Sequence, residues 1–219
     1  SGKLDEGGGT WVEWNIINGT FNPTTRDFTF QAVVADPPGG MAINFAGRYG
    51  FGFVIDVNTG AGPTQNGLNG SGVYIAAPGQ TGILGTYNFV NTLTSWTNGV
   101  SSLVPISNYT NAFNTDYLTI SSYDPITKAW SGTATFSWGS APYSGTYDAD
   151  TGALTLYAFN QNFNGRAGTG FIGWWEWSQW GQTGQGALFA PVVPEPSTVA
   201  AMLTGLSSIG FFAIRRRIK

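Results

Sequence analysis

Two short segments concentrate the side chains best suited to chemistry, Trp11-Val12-Glu13-Trp14 and Trp174-Trp175-Glu176-Trp177. In a strand, residues two apart share a face, so Trp11 stands beside Glu13 and Trp174 beside Glu176. An indole face stacks on a pyranose ring and a carboxylate accepts bonds from its hydroxyls, which makes Trp11, Glu13, Trp174 and Glu176 candidate carbohydrate-binding residues. The first and last strands of a sandwich are often neighbours, an arrangement that would bring the two faces together. The competing reading is structural: the 9 Trp of the chain need burial somewhere, with each Glu on the wet side. Glu13 and Glu176 are also the only plausible glycosidase pair, since that chemistry uses carboxyl groups roughly 5 to 9 Å apart. Nothing else supports catalysis, and the chain is expected not to be an enzyme.

Asp148-Ala149-Asp150-Thr151-Gly152 has the D-x-D-x-G opening of a calcium loop, but the distal Glu of such a loop is missing. A hairpin turn is therefore preferred over metal ligation by Asp148 and Asp150. The chain has no Cys and no His. That removes disulfides, thiolate sites, Cys nucleophiles, the Ser-His-Asp triad and the usual zinc and iron ligands. No cofactor is expected. Asn18-Gly19-Thr20, Asn69-Gly70-Ser71 and Asn108-Tyr109-Thr110 match the N-glycosylation pattern, a coincidence expected in a chain rich in Asn and Thr.

Charged residues are only 10% of the 219, against about 25% in ordinary soluble domains. The polar surface must be made of Asn, Thr, Ser, Gln and Gly, a composition common in extracellular proteins and compatible with self-association. The net charge is −3, yet Arg215, Arg216, Arg217 and Lys219 cluster in the last five residues. The body ahead of them is acidic, which excludes a basic nucleic-acid footprint.

From Thr10 to about Trp180 the apolar residues alternate with polar ones between Gly, Asn, Asp and Pro breaks. Phe28, Phe30, Ala32 and Val34 form one such series. Ala134, Phe136 and Trp138 form another, and Leu154, Leu156 and Ala158 a third. A period of two predicts strands with one buried face. Further strands are expected near 11–17, 49–57, 73–77, 83–90, 117–123 and 171–180. About ten strands at this spacing predict an all-β domain, a single sandwich or jelly roll. Asp56-Val57-Asn58-Thr59-Gly60-Ala61, Asp124-Pro125-Ile126-Thr127-Lys128-Ala129 and Asp148-Ala149-Asp150-Thr151-Gly152-Ala153 share a turn-forming pattern and are read as hairpin turns. Residues 1–9 are read as a flexible lead-in, 10–180 as the β-domain, and 181–193 as a Gly/Pro linker.

Past the linker, Val199 to Ile214 is an uncharged apolar run, as a helix roughly 24 Å long, against a hydrocarbon core of ~30 Å. Arg215-Arg216-Arg217-Ile218-Lys219 follows at once, a basic stop that would stay on the cytoplasmic side. A buried core helix is the alternative, disfavoured after a Pro/Gly linker at a terminus. Val193-Pro194-Glu195-Pro196-Ser197-Thr198, the short apolar run and the Arg-rich end, in that order, resemble the PEP-CTERM sorting signal, here 194–219. The resemblance covers only this tail, with Pro194, Glu195, Pro196, Ser197 and Thr198 as the motif. It implies an exported protein of an exopolysaccharide-producing Gram-negative bacterium. It further implies transient anchoring in the inner membrane, cleavage by an exosortase near Pro194–Pro196, and delivery to the outer surface or the extracellular matrix, with exopolysaccharide as a candidate partner. Export needs a signal peptide, and none precedes Ser1. It is expected either to have been removed or to lie outside this stretch. On this reading the body is structural or adhesive, the alternative being a carbohydrate-binding module.

Overall fold

The structure is a computed structural model that describes residues 2–5, 11–34, 41–59, 67–97, 100–103, 116–179 and 182–191. Every regular element among them is a β-strand, as the alternation predicts. The strands are β1 (Gly2–Asp5), β2 (Trp11–Phe21), β3 (Asp27–Val34), β4 (Met41–Asn58), β5 (Gly67–Ala76), β6 (Gly85–Thr97) and β7 (Val100–Leu103). They continue with β8 (Tyr117–Tyr123), β9 (Ala129–Phe136), β10 (Gly139–Tyr147), β11 (Ala153–Ala158), β12 (Gln161–Gln179) and β13 (Gln182–Pro191).

All pairings are antiparallel, and one of them decides the architecture. β4 pairs β12 from Ile43 opposite Trp177 to Asp56 opposite Asn164. This contact closes β4, β5, β6, β8, β9, β10, β11 and β12 into an eight-stranded antiparallel barrel. The expected sandwich or jelly roll is thus replaced by a closed wall, which leaves these eight strands no free edge. β4 and β12 are 18 and 19 residues long, and each changes its second neighbour partway along. β4 pairs β3 up to Arg48 and β5 from Gly52 onward. β12 pairs β11 up to Arg166 and β13 from Gly170 onward. Beyond the barrel the two long strands therefore carry a second sheet, with β3, β2 and β1 on one flank and β13 on the other.

Alternate residues fill the lumen. Phe51, Phe53 and Ile55 of β4, Leu118 and Ile120 of β8, and Leu154, Leu156 and Ala158 of β11 are buried in one cluster with Trp130 and Tyr87. Each large side chain buried this way contributes on the order of 1.5–3 kcal/mol. The opposite, outward residues build a second core. Val73, Ile75 and Val90 pack on Ile172 and Trp174, with Phe189 and Ala187 of β13 against them. Here the second sheet folds back on the barrel wall. At Gly145 the wall leaves room for a neighbour: a Cβ there would run into the Thr155 carbonyl and come within 2.9 Å of the Trp130 ring. The indole lies in that space, and its Nε1 donates to the carbonyls of Thr155 at 3.2 Å and Thr146 at 3.3 Å.

Arg48 secures the junction where β4 exchanges β3 for β5. Its Nε donates to Asp27 Oδ1 at 2.7 Å and its Nη1 to the Ala76 carbonyl at 2.9 Å. The side chain is 9% exposed and that of Asp27 33%.

Two of the three expected hairpin turns form as read. Asp124 accepts from the amides of Ile126 and Thr127, and Asp148 from that of Asp150, with Lys128 and Gly152 at φ of 60° and 73°. The Asp56 copy differs. Asp56 lies inside β4 between Ser71 and Asn164, where ladder partners on both sides outcompete a local turn. Gly60 and Ala61 are outside the described residues. The same turn occurs instead at Asn22, which accepts from the amides of Thr24 and Thr25, with Arg26 at φ 61°. β13 occupies most of the segment expected to be a linker, and β1 part of the expected lead-in, because each finds an open strand edge to pair with. The sorting-signal residues Pro194–Thr198, the apolar run 199–214 and the basic cluster 215–219 lie outside the described residues.

Candidate functional site

The two Trp-Glu segments do not meet. β2 and β12 belong to one sheet but β3 and β4 run between them. Three inter-strand steps of about 4.8 Å set β2 roughly 14 Å from β12. The β2 residue in register with Glu176 is Asn18, five positions along from Glu13, so the two Glu backbones lie farther apart still, beyond the separation that glycoside hydrolysis uses. Trp174 is fully buried against Val73, Ile75 and Val90, so its indole offers no face to a sugar. The strand positions of Trp11 and Glu13 are defined by their pairing with Asp5 and Lys3.

Glu176 instead stands in a row of amides. Asn18, Gln31, Asn44, Glu176 and Gln185 are successive register partners across β2, β3, β4, β12 and β13. Directly opposed residues of antiparallel strands share a face. Within the row, Gln31 Nε2 donates to Asn44 Oδ1 at 3.0 Å, and Asn18 Nδ2 reaches Gln31 Oε1 at 3.4 Å. This is a flat polar strip with one negative charge.

Asp148 and Asp150 sit in the β10–β11 turn. Asp148 Oδ2 takes the Lys128 ammonium at 2.6 Å while Oδ1 caps the turn. The Lys128 hydrogen bond first, and the Asp150 amide next, hold the Asp148 carboxyl below the ordinary range. A carboxylate so engaged serves the hairpin. No group of three or more His, Cys, Asp or Glu able to hold a metal ion occurs among the described residues.

A further concavity among the described residues was not marked by the sequence. At one end of the barrel the lumen opens into a cup of about 360 Å³, within the range of small-molecule sites. Its floor and sides are aromatic: Tyr74 and Phe89 stack with centroids 4.6 Å apart, and Phe136 and Tyr143 stand at 6.3 Å. Phe163 and Leu156 add to the lining, and Asp116 supplies the only charged group among its described residues. Burial first, and the Asp116 carboxylate second, push the Tyr143 hydroxyl up to about 12.

Two hairpin turns raise aromatic lips over this mouth. Trp138, in the β9–β10 turn, is 69% exposed and stacks on Phe136 at 4.7 Å with the rings 2° from parallel. Phe159, in the β11–β12 turn, is 61% exposed and sits 5.8 Å from Tyr143 and 6.4 Å from Phe136. Phe159 has φ 51° and Asn160 φ 60°. A two-residue turn of this kind wants Asn or Gly at both places, and a bulky residue there is strained. The signal available in sequence was this pair of aromatics at the tight turns Ser137-Trp138 and Phe159-Asn160. Alternation alone had placed Trp138 in a strand.

Comparison with protein-family models, with curated proteins and with solved structures finds no match to this chain.

Proposed function

We propose that this chain is an exported cell-surface or extracellular-matrix protein, sorted and cleaved by an exosortase, whose β-barrel body is structural or adhesive and not catalytic. One observation carries this reading: the ordered succession of Pro194-Glu195-Pro196-Ser197-Thr198, an uncharged apolar run over 199–214 and the basic stop Arg215, Arg216, Arg217 and Lys219. A lone Pro-Glu-Pro would mean nothing; the three parts together describe a transient membrane anchor with its cut site ahead of it. Ser207, Ser208 and Gly210 lower the hydrophobicity of the run, which suits an anchor that is later removed.

The barrel wall supports the same reading. Its outward face offers hydroxyl pairs in place of charges, with Thr86 and Thr119 at 3.2 Å, Ser122 and Ser131 at 2.6 Å, and Thr146 and Thr155 at 2.8 Å. A neutral surface of donors and acceptors suits a hydrated polysaccharide matrix. In an exosortase-bearing host, deletion of the exosortase is expected to leave uncleaved chain in the inner membrane, read by fractionation and intact-mass analysis. Equal processing with and without the enzyme would remove the assignment.

A second reading, a carbohydrate-binding module, is favoured by the amide row through Glu176. It takes a form different from the Trp-Glu faces, with hydrogen bonding from the strip and no stacking on Trp174. A glycan array with wild type and Glu176→Gln separates the two readings: no glycan retained by either removes the binding module.

A further inference from the structure

We infer that the aromatic cup at the barrel mouth is a binding site for a small cation with an alkylated ammonium group, held by ring faces and by the Asp116 carboxylate. This goes beyond the proposed sorting and does not depend on it. Three features point the same way. The first is shape. The concavity holds about 360 Å³ and is walled by rings, whereas the rest of the lumen is filled by the side chains of the main core.

The second is cost. A folding protein gains nothing by exposing an indole and a phenyl ring on tight turns, least of all a Phe held at φ 51°. Strain kept at an exposed aromatic is explained when the ring has something to cover. Trp138 and Phe159 both contact Phe136 of the same mouth, from neighbouring hairpins.

The third is charge. Aromatic faces are negative, and a cation within about 6 Å of a ring centroid is attracted to them, the more so when desolvated. Among the described lining residues the one charged group is an acid, and no base accompanies it. An anion would meet only repulsion there. A neutral sugar would want several polar partners at the walls, and this lining is mainly aromatic and aliphatic. A methylated ammonium matches both the ring faces, which accept its apolar methyl surface, and the carboxylate, which balances its charge without requiring an N–H donor.

The test is isothermal titration calorimetry on the full chain with choline, with its neutral isostere 3,3-dimethylbutan-1-ol and with cellotetraose. Choline is expected to bind saturably with a Kd at or below about 1 mM, and the isostere about tenfold more weakly. Asp116→Asn should weaken choline about tenfold and leave the isostere unchanged. Trp138→Ala, at an exposed position that folding does not need, should weaken both. Circular dichroism of each variant checks the fold. Equal affinity for choline and isostere would overturn the proposal and make the cup simply apolar. Binding of cellotetraose without choline, or no choline binding by a folded chain at millimolar concentration, would overturn it too.

Discussion

Replacing Arg48 by Met tests whether the junction between barrel and second sheet rests on one guanidinium. The substitution keeps most of the aliphatic stem and removes the donors to Asp27 and to the Ala76 carbonyl. A hydrogen bond to a charged partner contributes about 1.5–3 kcal/mol, but the Asp27 side chain is one-third exposed, and water recovers part of that loss. Ala76 is 1% exposed. Its carbonyl loses this donor with little access to solvent, at about 1–3 kcal/mol. The sum is about 3 kcal/mol, equivalent to roughly 6–12 °C in melting temperature for a chain of this size. Asp27→Asn keeps an acceptor and leaves the Ala76 bond in place, so it should cost only about 1 kcal/mol. Urea unfolding followed by tryptophan fluorescence measures both, with an unchanged m-value marking a pure stability effect. Arg48→Met within about 0.5 kcal/mol of wild type, the range of an uninvolved surface substitution, would refute the reasoning. So would an Asp27→Asn loss as large as that of Arg48→Met, because the carbonyl contact would then carry nothing.

Gly145→Ala drives a methyl into the Thr155 backbone beside the Trp130 ring and is expected to cost about 3 kcal/mol in the same assay; a neutral result would mean that the wall can part there. The alkaline limit comes from buried tyrosines. Burial is the first cause that raises the hydroxyls of Tyr74, Tyr87, Tyr143 and Tyr147, with Tyr143 at about 12, against about 10 in an unfolded chain. The raised values stabilise the fold fully below pH ~10, and that contribution is lost as pH climbs through the folded values. Absorbance titration near 295 nm should therefore show these four ionising late or together with unfolding. All 9 tyrosines titrating near 10 in a chain with intact circular dichroism would contradict it.

The strand content was legible wherever apolar and polar residues alternate without glycine. β8 matches the expected range 117–123 end to end, and β11 extends the expected alternation at Leu154–Ala158 by one residue. The closure was not legible, and the reason is physical. β4 carries Gly47, Gly50 and Gly52, and β12 carries Gly165, Gly168, Gly170 and Gly173. In sequence such residues read as breaks. In the fold several of them serve close packing: a Cβ on Gly47 would meet the Ile172 carbonyl and Gly173 Cα, and one on Gly165 would meet the Val54 carbonyl. Two strands of 18 and 19 residues were thus expected only as the fragments 49–57 and 171–180. β10 went unseen because Ser140, Pro142 and Gly145 interrupt its pattern. The cup was missed for a related reason: its aromatics lie on five strands and two turns, brought together only by barrel closure, which no local window contains.

The seam between β4 and β12 joins residues more than a hundred positions apart, while the other barrel neighbours are consecutive strands, save where β7 intervenes between β6 and β8. Local hairpins can zip early, but the ring cannot shut until its two ends find each other, and joining such distant segments is slow. Until then a curled, open ribbon presents two long unpaired borders, each able to template another copy. The step that finishes this molecule is therefore also the one at which crowding would divert it into linked chains.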